Sequence, residues 1–137
     1  GYKDDDNNKE INIDYIHGVS IFMNADIVRS VGYLSEEYFL YYEDVDYSIR
    51  ALNKGFKLDI NQDSIIYHNS NYNKYENSTA SILRKVFPVV NRYRLAKNFF
   101  IKIKFFVLLG VIVAIIKRIF TFRFKESIMI IKYLYKI

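Results

Sequence analysis

The sequence of 137 residues contains no cysteine, no tryptophan, one proline and two histidines. Without cysteine, disulfides and cysteine-based zinc sites are excluded, which fits a reducing compartment. The N-terminus is polar and acidic, and it lacks the pattern of a cleavable signal peptide. Because the chain begins at Gly1 and not at methionine, we expect it to be a fragment or a processed product.

Acidic residues are nearly missing from the C-terminal part of the chain. Residues 79–137 hold 13 Lys/Arg and a single acid, Glu126, whereas residues 1–78 hold 7 Lys/Arg and 14 Asp/Glu. The net charge of +5 therefore combines a balance of −7 with one of +12. This division predicts two parts in different environments, an acidic part at 1–78 and a basic, helical, membrane-associating tail at 79–137.

The pattern of the acidic part predicts two helices followed by two short strands. Asn24 has the chemistry of a helix N-cap, and Gly32 that of a helix stop. A second helix is predicted over about residues 43–54, where apolar side chains recur at helical spacing. Residues 56–60 and 64–68 are β-rich runs around a turn, which predicts two strands.

The tail is predicted to be helical from Thr79 onward, with Pro88 as a kink or a boundary. Residues 105–116 carry no charge, but as a helix they span only about 18 Å, against about 30 Å for the hydrocarbon core of a membrane. A longer stretch, residues 99–120, reaches spanning length only by including basic residues, among them Lys102 and Lys104, which would have to snorkel.

Basic residues are interleaved with bulky apolar ones along the rest of the tail, which favours a helix lying in the surface of an anionic membrane. A spanning or re-entrant segment and a helical core or partner interface are the alternatives. Nucleic acid is not expected as a partner, because long apolar runs suit lipid better than phosphate. We therefore expect a peripheral location on the cytoplasmic face of the cell membrane.

Three carboxylates, Glu43, Asp44 and Asp46, follow an aromatic run where the second helix is predicted to begin. A helix N-terminus stabilises negative charge, so these groups can accept protons or hydrogen bonds. The two histidines, His17 and His68, lie on either side of this segment in the sequence. The grouping indicates a site, although helix capping by a solvated first turn is the alternative for the acids.

An ordered series of residues extends over about residues 13–70. It comprises His-Gly-Val-Ser at 17–20, the run 31–39, Tyr-Glu-Asp-Val-Asp at 42–46, Arg50, Gly55 and Tyr-His at 67–68. The series resembles the C-terminal half of the catalytic domain of family 2 glycosyltransferases, particularly the bacterial rhamnosyltransferase-like group. This resemblance implies an α/β fold of the GT-A type, followed here by basic, hydrophobic C-terminal helices. It also implies transfer of a sugar from a nucleotide-sugar donor to an acceptor hydroxyl.

The resemblance also implies roles for individual residues. Asp44, the second acid of the pair with Glu43, would act as general base on the acceptor hydroxyl. His68 would help to hold a divalent metal, Mg²⁺ or Mn²⁺, on the donor diphosphate. His17 and Gly18 would line the cleft between acceptor and donor.

Some of these residues have a structural alternative. Arg50 is a predicted substrate-binding residue through its place in the series, but it can also pair with Asp46 at i, i+4 on the outer face of the helix. His68 can be an ordinary strand-end histidine. His17 is the least secure of the set, since acceptor contacts vary among such enzymes.

The sequence departs from the family pattern in two places. Ser35 stands where the family usually has an aspartate, and the family's nucleotide-binding strands with their Asp-x-Asp metal motif do not appear. The acidic run at residues 4–6 reads as a solvated lead-in, similar to an epitope tag.

We therefore expect part of an inverting glycosyltransferase of cell-surface polysaccharide synthesis, acting on a glycan or lipid-linked acceptor. The divalent metal is expected only together with the nucleotide-binding half. The alternative is a non-catalytic, membrane-associated interaction module or remnant.

Overall fold

A computed structural model describes residues 13–61, 63–68 and 78–137. Over these residues the chain forms five α-helices and no β-strand. The helices are α1 (Ala25–Val31), α2 (Glu43–Asn53), α3 (Thr79–Phe99), α4 (Lys104–Phe120) and α5 (Phe124–Leu134). α1 packs against α2, while α3, α4 and α5 pack against one another as a three-helix group.

The predicted α/β fold of the GT-A type is wrong for the described residues, which are helical and contain no sheet. Residues 56–60 and 64–68 are not strands. Near the turn between them, the Ser64 N–H donates to the Asn61 carbonyl at 3.3 Å. A strand needs a hydrogen-bonded neighbour, and β-rich composition does not supply one. The division of the chain at residue 78 stays a prediction.

The predicted ends of the first two helices are confirmed. The Asn24 side chain accepts a hydrogen bond from the Asp26 N–H at 2.9 Å, which caps α1. Gly32 follows α1 with φ of 88°, a conformation that favours glycine. α2 begins at Glu43, as the helical spacing predicts.

The α1–α2 pair encloses a small core of Val31, Tyr47 and Ala51. Arg50 closes this core by donating to the Asp46 carboxylate at 2.8 Å and to two backbone carbonyls, those of Val31 at 2.8 Å and Tyr33 at 2.9 Å. The i, i+4 pair is therefore confirmed. Its predicted place on the outer face is wrong, because Asp46 is only 4% exposed.

The three-helix group has a core of its own, made of Val86, Val90, Val111 and Ile130. α3 continues through Pro88, so a boundary at that residue is wrong. The helix loses one hydrogen bond there, because proline has no N–H. Packing of the apolar side of α3 against α4 and α5 opposes that loss.

A buried ion cluster joins the three helices of this group. Glu126, in the first turn of α5, is 6% exposed and accepts from Arg118 at 3.0 Å and from Arg123 at 2.7 Å. Arg118 also donates to the carbonyls of Ala114 in α4 and Lys85 in α3. The only acid of the tail is thus neutralised inside the helical group.

We expect Glu126→Gln to destabilise the chain by about 2 kcal/mol, because the mostly buried Arg118 guanidinium loses its counter-charge, whereas Arg123 is half exposed and stays solvated. Urea unfolding followed by circular dichroism measures this. The exposed Glu36→Gln is the matched control and should change the free energy of unfolding by less than about 0.5 kcal/mol. Equal stability of the two variants would contradict a structural role for the cluster.

Candidate functional site

The backbone immediately before α2 is strained. Tyr41 and Tyr42 have φ of 67° and 74°, and Phe122 is the only other non-glycine residue with positive φ in the described part of the chain. Such conformations cost about 1–3 kcal/mol each and persist where the surrounding structure enforces them. Strain of this kind concentrates at functional sites, so the start of α2 is the candidate site.

The carboxylate of Asp44 is fixed at this position by two backbone donors. Its Oδ2 accepts from the Gly18 N–H at 2.7 Å, and its Oδ1 accepts from the Val45 N–H at 2.8 Å. Each carboxylate oxygen can accept about two hydrogen bonds, so acceptor capacity remains on both. The side chain is therefore held in place while it can still take a proton.

The segment before α1 is tied to α2 by a second connection. The Ser48 hydroxyl donates to the Asp44 carbonyl at 2.7 Å and accepts from the Ile16 N–H at 3.1 Å. A side chain at Gly18 would place its Cβ 3.2 Å from Oδ2 of Asp44, tighter than ordinary packing. Glycine at position 18 therefore permits the close approach of backbone and carboxylate.

The neighbouring acid, Glu43, has a different environment. Its Oε2 is buried and has no hydrogen-bond partner among the described residues. Buried carboxylate oxygens are normally paired, because burying an unpaired charge is costly. The start of α2 thus holds one carboxylate that is anchored and one whose buried oxygen lacks a donor.

Helix α3 supplies the contacts that hold the strained turn. The Asn91 side-chain amide, which is fully buried, donates to the Leu40 carbonyl at 2.8 Å and to the Tyr41 carbonyl at 3.0 Å. Arg92 donates more weakly to the Tyr42 hydroxyl at 3.4 Å. Sequence reasoning missed Asn91; the only signal was an amide within the predicted apolar helix.

Tyr38 packs under the same turn and is 4% exposed. Burial raises the pKa of its hydroxyl from 10.0 to about 12, and the negative charge of Asp46 adds to the increase. The Arg94 guanidinium lies 5.8 Å from the ring centroid and also pairs with Glu37 at 3.2 Å. A buried, protonated tyrosine is therefore part of the support beneath the site.

The structure brings Gly18, Glu43 and Asp44 together, but it places the other predicted residues differently. His17 is exposed and accepts from the Val19 N–H at 3.3 Å. His68 is exposed, and neither histidine has a hydrogen bond to the carboxylates. Arg50 donates hydrogen bonds to Asp46 and to two backbone carbonyls. Across residues 13–61, 63–68 and 78–137, no three His, Asp or Glu side chains are grouped to hold a metal.

An open cleft of about 890 Å³ lies beside the site. Its lining includes Ile16 and Ser48, which tie the N-terminal segment to α2, as well as Phe56 and Leu58. Its walls are mainly apolar with a few polar groups, as is common for small-molecule sites. Asp44 itself is not among the lining residues.

Comparison of the chain with protein-family models, with curated proteins and with solved structures found no match. The resemblance to family 2 glycosyltransferases therefore stays a prediction from the residues quoted above. Any function for the site has to be argued from its geometry and chemistry.

We expect the stability of the chain to fall between pH 10 and 12 because of Tyr38. The unfolded side chain releases its proton above pH 10.0 and the folded one only near 12. The contribution of the buried, protonated Tyr38 to the free energy of unfolding is complete below pH 10 and is lost as the pH rises through that window. At pH 11 the loss amounts to about 1.4 kcal/mol relative to Tyr38→Phe.

Urea unfolding at pH 8 and pH 11 measures the difference between the wild type and Tyr38→Phe. Tyr33→Phe, at a position that is 84% exposed, is the matched control and should behave like the wild type at both pH values. Parallel losses in all three proteins would show that Tyr38 has no special part in the alkaline transition.

Proposed function

We propose that this chain is the acceptor-side, base-bearing part of an inverting glycosyltransferase that works at an anionic membrane surface in cell-surface polysaccharide synthesis. The observation that supports the proposal is the Asp44 carboxylate, anchored by the Gly18 and Val45 N–H groups with acceptor capacity to spare. Sequence resemblance supplies the reaction class. The proposal does not require the sheet that the sequence predicted.

The transfer reaction requires one general base. An acceptor hydroxyl attacks the anomeric carbon of the donor sugar, and the new glycosidic C–O bond forms as the bond to the nucleoside diphosphate breaks. In our proposal the hydroxyl proton passes to Asp44 in that step, which strengthens the nucleophile. A single displacement inverts the anomeric centre. Fixing Asp44 in advance lowers the entropic cost of aligning base and hydroxyl.

Other residues have more limited parts in the proposal. The Gly18 N–H orients the base, and His17, the preceding residue, would contact the acceptor in the proposal. The described residues lack a full ligand set for Mg²⁺ or Mn²⁺, so we derive no step through a metal. His68 would contribute at most one ligand. Groups that bind the nucleotide and the metal would come from further residues or from a partner chain.

Asp44→Asn should lower sugar transfer by at least about 100-fold, since general bases typically contribute 10²–10⁴-fold. The asparagine oxygen can accept from only one of the Gly18 and Val45 N–H groups, so the protein should stay folded with an unfolding midpoint lower by a few °C, as expected for the loss of about 1 kcal/mol. The assay uses the full gene product that contains this chain, a panel of UDP-, dTDP- and GDP-sugars, and release of nucleoside diphosphate as the readout.

The control for this experiment is Asp26→Asn, which alters an exposed pair with Arg29. It should retain normal turnover. Activity of Asp44→Asn near that of the control would rule out Asp44 as the base. Absence of turnover from every nucleotide sugar in the unmutated protein would favour the alternative function, a non-catalytic module at the membrane.

The surface of α4 and α5 supports the membrane part of the proposal and the alternative module alike. Large apolar side chains are exposed along both helices, most strongly Phe105, Phe106, Leu109, Val113, Phe120 and Ile128. Lys125 and Lys132, seven residues apart on α5, lie along one edge of its exposed apolar stripe. None of the helices in the described part of the chain is long and apolar enough to cross a membrane.

An amphipathic surface with this charge should bind anionic vesicles. Each lysine near such a surface contributes about 1 kcal/mol, so Lys125→Gln with Lys132→Gln should weaken binding by about 30-fold. Co-sedimentation with phosphatidylglycerol vesicles measures the effect, which should shrink in high salt. Lys57→Gln, an exposed lysine in the acidic part, should bind as the wild type does. Binding to duplex DNA in preference to vesicles would contradict the proposal.

A further inference from the structure

We infer that Asn91 of α3 is a positioning residue for the Glu43–Asp44 pair, because its buried amide holds the two left-handed tyrosines that determine where α2 begins. The inference deepens the proposed function, on which it rests for its catalytic meaning. The geometric part of the inference does not depend on that function, because it rests on contacts between α3 and the turn before α2.

The turn needs an external support. Tyr41 and Tyr42 are consecutive and both have positive φ, which is unfavourable for residues with a Cβ. Tyr42 is also the N-cap of α2, yet its side chain makes no capping hydrogen bond. The strained conformation is therefore not stabilised by the local sequence in the way that Asn24 stabilises the start of α1.

Asn91 provides that support from a distant part of the chain. One nitrogen, Nδ2, donates to the carbonyls of Leu40 and Tyr41, and the side chain is 0% exposed. The amide itself lies in the core, and losing it would leave two carbonyls without these donors. The bonds orient the peptide groups on either side of Tyr41, where the chain enters its left-handed conformation.

The place where α2 begins determines the direction of its first side chains. Tyr42 supplies the first helical acceptor, its carbonyl receiving the Asp46 N–H at 2.9 Å. If the turn relaxed to negative φ, Glu43 and Asp44 would leave their present directions. The hydrogen bond between the Gly18 N–H and Asp44, at 2.7 Å, would then lengthen or break. That amide therefore reports on the position of the carboxylate.

Asn91 also links the site to the three-helix group. Val90, its neighbour in α3, belongs to the core with Val111 and Ile130. Beside this core, the Phe87 ring packs on Phe39 at 5.2 Å and on Tyr133 at 4.8 Å between ring centroids. The helices proposed to meet the membrane are thus connected through α3 to the segment that precedes the carboxylates.

Glycine substitution separates positioning from simple packing. Glycine adopts positive φ at no steric cost, so a turn with Tyr41→Gly and Tyr42→Gly needs less support. If Asn91 acts by holding these two residues, the glycine pair should rescue Asn91→Ala. If Asn91 only fills space in the core, the glycine pair should leave the defect unchanged or add to it.

The test uses the full 137-residue chain labelled with ¹⁵N, and follows the chemical shift and hydrogen exchange of the Gly18 amide. Asn91→Ala should move this shift and speed exchange by about tenfold or more relative to the Ile130 amide. Asn91→Ala with both glycines should restore the shift and slow exchange to within about threefold of the wild type. Lys85→Ala, at an exposed position of the same helix, is the control and should leave the Gly18 amide unchanged.

Failure of the glycine pair to restore the Gly18 amide would overturn the inference, as would equal acceleration of the Gly18 and Ile130 amides by Asn91→Ala. If Asn91→Ala alone does not fold, a folded triple variant with the wild-type Gly18 signal supports the inference and an unfolded one overturns it. The readout needs no turnover. The turnover of Asp44→Asn therefore tests the proposed reaction. The glycine rescue separately tests the positioning by Asn91.

Discussion

Two hydrogen bonds from one buried amide connect the acidic and basic parts of this chain. Asn91 donates to the carbonyls of Leu40 and Tyr41, across about fifty residues of sequence. That connection determines where α2 begins. The direction of Glu43 and Asp44, and with it the contact of Asp44 with Gly18, depends on this start. The backbone strain at Tyr41 and Tyr42 destabilises the fold locally. The packing of α3 in its helical group stabilises the fold and offsets that strain.

Arginine has a similar connecting role in both parts of the molecule. Arg50 binds the buried Asp46 and two carbonyls from the end of α1 and the residues beyond it. Arg118 binds the buried Glu126 and carbonyls of α3 and α4. A guanidinium has five donors in a fixed plane, so it can neutralise a buried carboxylate and join neighbouring backbone segments at once. Asp46 and Glu126 are therefore structural acids.

Features that depend on neighbouring residues were predictable from the sequence, and features that depend on distant ones were not. The ends of α1 and the start of α2 follow from Asn24, Gly32 and helical spacing, all of which act within one or two turns. The two predicted strands failed because a strand also depends on a partner elsewhere. Asn91 was missed for the same reason, since the carbonyls that it binds have no sequence signature. Gly18 and Asp44 are in contact in the structure, and the sequence linked them only through the resemblance.

The placement of Glu126 bears on how the molecule would meet a membrane. Because the single acid of residues 79–137 is enclosed by two arginines, the exposed charge of that part is uniformly positive. Residues 1–78 carry a balance of −7. An anionic surface attracts the first part and repels the second, with both forces acting within about 10 Å at moderate salt. Such a surface would therefore orient the chain as well as bind it, with α4 and α5 against lipid.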